Sequence, residues 1–295
     1  MSVTTLLPRT AARSAQLVAA SERTTLDPFR EVDWSIPIDD SAFHLPPELL
    51  PLYGTATWHA MSPTEQIAYS RHETAAMFGA GIWFENALMQ MVLAHLVTIP
   101  VTDPSHRYLL VEVADECRHS TMFGEYIRRA GTPAYGPTHR HQASADTPDG
   151  RVLSYLLILA VEELLDHANR ATMRDERLHP VSRQIAKVHV LEEARHVSFA
   201  KSYLSEIWPT LDTDEQTIVT STAGSLVAAV VQLNLDKRVY EELGIENGLA
   251  EVEANPNYRA NVVAGIAKLT RFLADIGILN ESHRDEWVAL GLTTS

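Results

Sequence analysis

The chain has 295 residues, 45% of them hydrophobic and 21% charged, with a formal net charge of -14. That acidity argues against nucleic acid or an anionic membrane as a partner. The single cysteine, Cys117, excludes an intrachain disulfide framework and fits a reducing, cytoplasmic setting. The length suits one large domain or two small ones with a substantial core. No apolar run approaches the ~20 residues of a membrane span, and no signal peptide is visible at the N-terminus.

Residues 1 to 60 read as an irregular N-terminal arm. The first thirty are rich in Ser, Thr, Ala and Arg. From Asp33 to Pro63, scattered prolines and aromatics suggest chain draped over a surface, with at most a short helix near Glu48. Ser62-Pro63-Thr64-Glu65 is a capping box with proline at the first helical position, opening a helix that runs to about Val97. Gly79 and Gly81 inside it permit either close packing or a kink. A second helix is expected from about Ser105 to Arg129. Residues 130–150 lack periodicity and are rich in Pro, Gly and Thr, which reads as a long crossover.

A third helix is expected from Arg151 to Arg177, apolar all round at Tyr155–Val161 and therefore buried. A fourth runs from beyond His179-Pro180 to about Trp208. Further helices are expected at Asp212–Glu242, Pro256–Ile276 and Ser282–Leu290. Nothing alternates as a strand. The fold class is all-α: two helix pairs joined by a crossover, with helices added at the C-terminus, residues 61–295 forming one domain.

The chemistry lies on the four central helices. In the fourth, His189, Glu193 and His196 fall at i, i+4 and i+7, on one stripe. Glu193-Ala-Arg-His196 repeats the Glu-x-x-His spacing of Glu116-Cys-Arg-His119 in the second helix. The first helix contributes Glu85 and the third Glu162 or Glu163. One Glu from each of two helices, plus Glu-x-x-His from each of the others, is the ligand set of dinuclear iron or manganese bundles. Carboxylates that bridge two divalent ions hold them together while keeping the net charge low. A structural zinc site is disfavoured, since zinc prefers closed Cys/His tetrahedra.

Thirty-one residues separate Glu85 from Glu116, and thirty-one separate Glu162 from Glu193, which favours Glu162 over Glu163. His189 adds a third imidazole, making one metal richer in nitrogen. Glu112 and Asp166, each one turn from a ligand position, are candidate acceptors behind a ligand histidine. Glu192 and Arg195 point away from the ligand stripe, to solvent or to a supporting role.

At these residues the chain resembles the p-aminobenzoate N-oxygenase family, the ferritin-like di-iron arylamine oxygenases. The resemblance covers roughly residues 60 to 275 and rests on Glu85, Glu116-x-x-His119, Glu162 and His189-x-x-x-Glu193-x-x-His196. It implies a ferritin-like four-helix bundle binding two iron ions. Glu85, Glu116, His119 and Glu193 would serve one iron, and Glu162, His189 and His196 the other, with Glu116 and Glu193 bridging. It also implies O₂ as co-substrate and an external electron donor, a ferredoxin or a reductase. The expected reaction takes an amine through hydroxylamine towards nitroso or nitro products.

One departure stands out. A substrate carboxylate would need an Arg or Tyr facing the pocket. The two turns before Glu85, Met77–Phe84, supply none, and Arg71 is nearly four turns away. The expected substrate is therefore neutral, apolar or carrier-bound. The competing readings are a C–H hydroxylase or desaturase on the same scaffold and, less favoured, an iron-storage protein. The oligomeric state stays open, with a homodimer among the candidates.

Overall fold

The computed structural model describes residues 7–139 and 147–294. Among the described residues there is no strand, only one isolated parallel bridge between Phe43 and Leu178. Four long helices form the centre: α4 (Pro63–Leu96), α5 (Pro104–Ala130), α6 (Pro148–Thr172) and α7 (Pro180–Ile207). Each opens in the same way. A capping side chain (Ser62, Asp103, Thr147 or His179) accepts from a first-turn backbone N–H, and a proline follows at the first helical position. The missing proline N–H costs nothing there, because that donor has no intrahelical partner anyway. The capping box of Ser62 and Glu65 is present.

The helices pair antiparallel, as side-chain contacts running in opposite directions show. Phe78 meets Tyr126, Gly81 faces Phe123, Glu85 accepts from Ser120, and Met89 meets Cys117. In the second pair, Tyr155 packs on Tyr203 and Asn169 reaches His189. This is the all-α, ferritin-like arrangement expected from the ligand pattern. The glycine pair in α4 serves close packing, not a kink, since α4 runs unbroken. A Cβ at Gly79 would overlap the Tyr135 carbonyl, and one at Gly136 (φ +101°) would lie 2.6 Å from the Gly79 backbone. The start of the crossover therefore lies directly on α4. The middle of the expected crossover, 140–146, lies outside the described residues.

The N-terminal segment departs from expectation. Pro8–Arg23 is a helix, α1, packed on α5 and α7. Its buried stripe is Thr10, Ser14, Leu17, Val18 and Ser21, spaced as a helix face but built largely of hydroxyls. With only Leu17 and Val18 strongly apolar, such a stripe is amphipathic but weakly hydrophobic, and is easily passed over in the sequence. It docks by polar contacts: Glu206 accepts from the Thr10 N–H at 2.7 Å and its hydroxyl at 2.8 Å. Beyond it come two short helices, α2 (Pro28–Glu31) and α3 (Ala56–Ala60), with a single 3₁₀ turn at Pro47–Leu49, beside Glu48 as expected. Buried His44 stacks on His179 and hydrogen-bonds the Asp39 carbonyl, tying this irregular stretch to the bundle.

The C-terminal helices are more divided than expected. They are α8 (Thr213–Leu233), α9 (Lys237–Glu242), α10 (Gly248–Ala254), α11 (Pro256–Gly265), α12 (Ala267–Ile276) and α13 (Glu281–Ala289). Asp236 caps α9 and so breaks the single helix expected to Glu242. The expected Pro256–Ile276 helix is interrupted at Ile266, whose backbone leaves the helical region. α8, α11 and α12 pack on α6, and α13 packs on α8 through buried Trp287 against Gly224. Contrary to the sequence reading, the stretch 213–242 contains an 18-residue window, of mean hydropathy 1.5, that by length and composition could span a membrane. Its Val219, Ala223, Val227 and Val230 nevertheless join the core shared with α6.

Candidate metal centre

The bundle brings all seven expected ligand residues to its centre. Glu85, Glu116, His119, Glu162, His189, Glu193 and His196 are all buried, none more than 4% exposed. Their donor atoms gather in overlapping groups: Glu85 with His119 and His189, Glu116 with His119 and Glu193, and Glu162 with His189 and Glu193. Glu162, not Glu163, joins the cluster; Glu163, equally buried, turns away to ion-pair with Lys201.

Glu116 and Glu193 each span two histidines. Glu116 Oε1 lies 2.9 Å from His196 Nδ1 and its Oε2 3.4 Å from His119 Nδ1. Glu193 Oε1 lies 3.0 Å from His119 Nδ1 and Oε2 2.8 Å from His196 Nδ1. His189 Nε2 lies 3.7 Å from Glu193 Oε1. The two carboxylates thus each lie between His119 and His196. The expected division places His196 with Glu162 and His189, whereas the structure groups it with Glu112 and Glu116.

The far side of each imidazole is also held. His119 Nε2 meets Glu192 Oε2 at 2.9 Å, and His196 Nε2 meets Asp115 Oδ2 at 3.3 Å. His189 Nδ1 lies 3.1 Å from the Asn169 side-chain amide. Such partners fix tautomer and ring orientation, so the other nitrogen faces the cluster. Arg195 Nη2 joins Asp115 at 3.1 Å and Glu192 at 3.3 Å, and Arg118 also pairs with Asp115. Glu192 and Arg195 therefore lie inside the protein, in the supporting role and not at a solvated face.

Of the two acceptors expected from the sequence, Asp166 serves elsewhere: it binds Arg170 and, at 2.8 Å, Lys268. Glu112 stays with the cluster, grouped with Glu116 and His196. Asp115 and Asn169 were not singled out by sequence reasoning. A usable signal was there, because an acid immediately precedes each Glu-x-x-His: Asp115 before Glu116 and Glu192 before Glu193. Each acid serves the histidine of the other helix.

The electrostatics match a cation-binding site. Glu85 Oε1, Glu112 Oε2 and Glu162 Oε2 are buried without a hydrogen-bond partner, and Glu116 Oε1 and Glu193 Oε1 meet only imidazole nitrogens. Leaving one buried acceptor unpaired is costly, and so many buried carboxylates together call for positive charge among them. Burial, then repulsion from Glu116, raises Glu85; burial, then repulsion from Glu193, raises Glu162. Burial opposes charge on His119 and His196, yet the carboxylates around them lift both well above the ordinary histidine range. Burial pulls His189 down to about 4, leaving it a neutral imidazole. Burial likewise pushes Glu112 up to about 8. Carboxylates so disfavoured as anions when alone would ionise beside bound cations, and Glu85, Glu116, Glu162 and Glu193 together would balance two divalent ions, so the donor set fits a dinuclear centre.

A sequence model described as p-aminobenzoate N-oxygenase AurF matches residues 8–277. The chain belongs to this family. The AurF-family match includes α1, which the resemblance read from the ligand motifs left out. Uncharacterized proteins of Mycobacterium bovis and Mycobacterium tuberculosis are each 31% identical over 207 residues, 67% of this chain. The matched region spans 61% of those relatives' own length. Among solved structures, an R2-like ligand-binding oxidase with an aerobically reconstituted metal cofactor aligns with TM-score 0.48 and 16% identity, covering 95% of this chain and 90% of that one. A variant of such an oxidase with a Mn/Fe cofactor aligns with TM-score 0.47 and 15% identity, covering 94% and 90%.

Proposed function

We propose that the chain is a non-haem oxygenase. It holds two iron ions between Glu85, Glu116, His119, Glu162, His189, Glu193 and His196, and oxygenates the nitrogen of a small amine, of the aromatic kind the family description names. The observation that carries this reading is the set of buried carboxylate oxygens with no hydrogen-bond partner, facing three oriented imidazoles. Membership of the AurF family supports the nitrogen chemistry.

When bound, the metal pair would supply O₂ activation, which no side chain can provide. In the first turnover one oxygen atom enters an N–H bond to give N–OH. The other leaves as water, taking two protons and two electrons from an external donor, a ferredoxin or a reductase. Asp115 and Glu192 hold His196 and His119 so that Nδ1 faces the cluster. Asn169 holds His189 by Nδ1 so that Nε2 faces the cluster, and the neutral ring adds nitrogen donation without charge. Phe84, Leu88 and Val161 line the wall beside Glu162 and exclude water. A cytoplasmic location, in keeping with the lone Cys117, belongs to the same proposal.

The test is anaerobic loading with Fe²⁺ and metal analysis, followed by turnover with isotope-labelled O₂, a reducing system and a panel of aryl- and alkylamines. The expected outcome is about two irons per chain and label on nitrogen in the product. A single zinc ion, with activity that survives iron chelation, would overturn the reading. Label on carbon would instead establish the C–H hydroxylase alternative.

A further inference from the structure

A second buried acid lies outside the metal centre and has no role in the reading above. Glu73, on α4, is 4% exposed, and its Oε1 has no hydrogen-bond partner. It forms part of the wall of a cavity of about 110 Å³ between α4, α6 and α11. Apart from Glu73 the lining is largely apolar, including Met77, Leu164, Leu165, Leu235 and Val262. No Lys or Arg lines it.

The surroundings leave Glu73 without a counter-charge. Tyr69 and Tyr240 lie beside it, neutral phenols that ease the carboxylate only in part. Asp236, the other acid acting on it, is itself held by Arg238. His167 in the cavity wall is pulled below the usual histidine range by burial, so it brings no positive charge at neutral pH. Arg71, two residues earlier on the same helix, is spent on Asp40 and the Ala130 carbonyl. Burial, partly offset by the two phenols, pushes Glu73 up to about 7. An ionised carboxylate at such a place is costly until a cation or strong donor reaches it.

The cavity lies near the metal centre. Leu165 follows Glu162 by less than one turn of α6, and Met77 lies between Glu73 and Glu85 on α4. Glu73 is twelve residues before Glu85, about 18 Å along the helix. A group seated on Glu73 is therefore too far from the cluster to be the atom oxidised. It can only anchor a molecule whose opposite end points to the metals.

We infer that this cavity is the distal subsite for the substrate, and that Glu73 receives there a protonated amino group on an apolar body. The inference rests on the proposed oxygenase function for the word substrate, but the binding site stands on its own geometry. It replaces the expectation of a neutral, apolar or carrier-bound substrate with one of defined charge. The volume resembles that of a cavity able to hold a single benzene ring, about 150 Å³, so the anchored part is no larger than one small ring or a short chain.

The experiment measures binding to the full chain without metal by calorimetry, with three probes of one shape: benzylamine, benzyl alcohol and benzoate. Wild type should bind benzylammonium about ten- to a hundredfold more tightly than either of the others. Glu73→Gln should lose that preference while still binding the alcohol, and Glu73→Asp should keep part of it. Ala168→Leu, which fills the cavity from α6, should abolish binding of all three and serves if Glu73 variants fail to fold. Equal or tighter binding of benzoate or the alcohol, no binding of any probe, or undiminished binding in Ala168→Leu would overturn the site. Because no iron is present, binding is read independently of turnover: failure of every amine in the panel to take up labelled oxygen on nitrogen would refute the oxygenase reading alone. Oxygenation of uncharged or carboxylated amines only, with no amine binding here, would refute this subsite alone.

Discussion

Glu192 Oε2 on α7 lies 2.9 Å from His119 Nε2 on α5, while Asp115 on α5 takes His196 of α7. The two helices thus exchange supports: each carries the acid that orients the other's histidine. Glu192→Ala should therefore disturb His119 across the helix interface although Glu192 does not face the cluster. We expect iron affinity or activity to fall by about ten- to a hundredfold, with Glu192→Gln intermediate because its amide can still meet Nε2. A competition titration with a coloured chelator measures this. Unchanged affinity in the alanine variant would show that the pairing has no effect on His119.

Adjacent acids on α6 should behave oppositely. Glu162→Ala removes an oxygen from the group formed with His189 and Glu193, and should leave close to one iron per chain instead of two. Glu163→Ala removes an ion pair to Lys201, whose side chain keeps 29% exposure. The variant should keep both irons but, because the Glu163 carboxylate itself is buried, lose about 1–3 kcal/mol of stability. Metal analysis of the two variants side by side decides the assignment.

His189 is the residue that distinguishes this centre from a bundle with two histidines. Its ring is neutral and held by Asn169. Six other ligand residues remain in His189→Ala, so the fold and most of the iron should persist. Turnover should fall well beyond the loss of iron. Normal turnover per bound iron in this variant would reduce His189 to a packed core histidine.

Glu73 should leave a mark on stability as a function of pH. Its folded-state value, about 7, lies above the ordinary carboxylate value of 4.5. The folded state therefore holds the proton more tightly, and the group's stability advantage is complete below about 4.5 and lost as pH rises through about 7. Denaturant melts of wild type and Glu73→Gln, compared at each pH, isolate this one group. Their difference should change by up to about 3 kcal/mol across that window and stay flat above it. A difference independent of pH would mean that Glu73 titrates as an ordinary surface acid.

Gly79 tests how the crossover is seated. A methyl group there would overlap the Tyr135 carbonyl, a backbone atom that cannot rotate away. Gly79→Ala should destabilise the protein by about 1–3 kcal/mol despite alanine's better helix propensity. Gly124→Ala, on α5 with open space around it, is the control and should be neutral or mildly stabilising. Equal thermal melting of the two variants would contradict the close approach.

Much of the protein was decided by local chemistry and so was legible in one dimension. Each of α4 to α7 starts at a capping residue and a proline, a signal carried within four residues. Only that of α4 was read as such, and α6, expected from Arg151 to Arg177, runs Pro148–Thr172. The ligand set was legible for the same reason: Glu-x-x-His puts both groups on one helix face whatever the neighbours do. Equal spacing between the acids even pointed to Glu162. The rest depended on what meets what across helices. The hydroxyl stripe of α1 becomes a docking face only because Glu206 on α7 receives it. Asp166 and Asp115 look alike as acids beside ligand positions, yet one faces Lys268 and the other faces His196. No spacing within a helix encodes that difference, because it is set by which helix packs alongside. The same holds for Glu73, an unremarked acid in a long helix until α6 and α11 close a cavity over it. Covalent neighbours determined the helices and the ligand stripe, whereas burial and the charge left unpaired by burial were decided only when the helices came together.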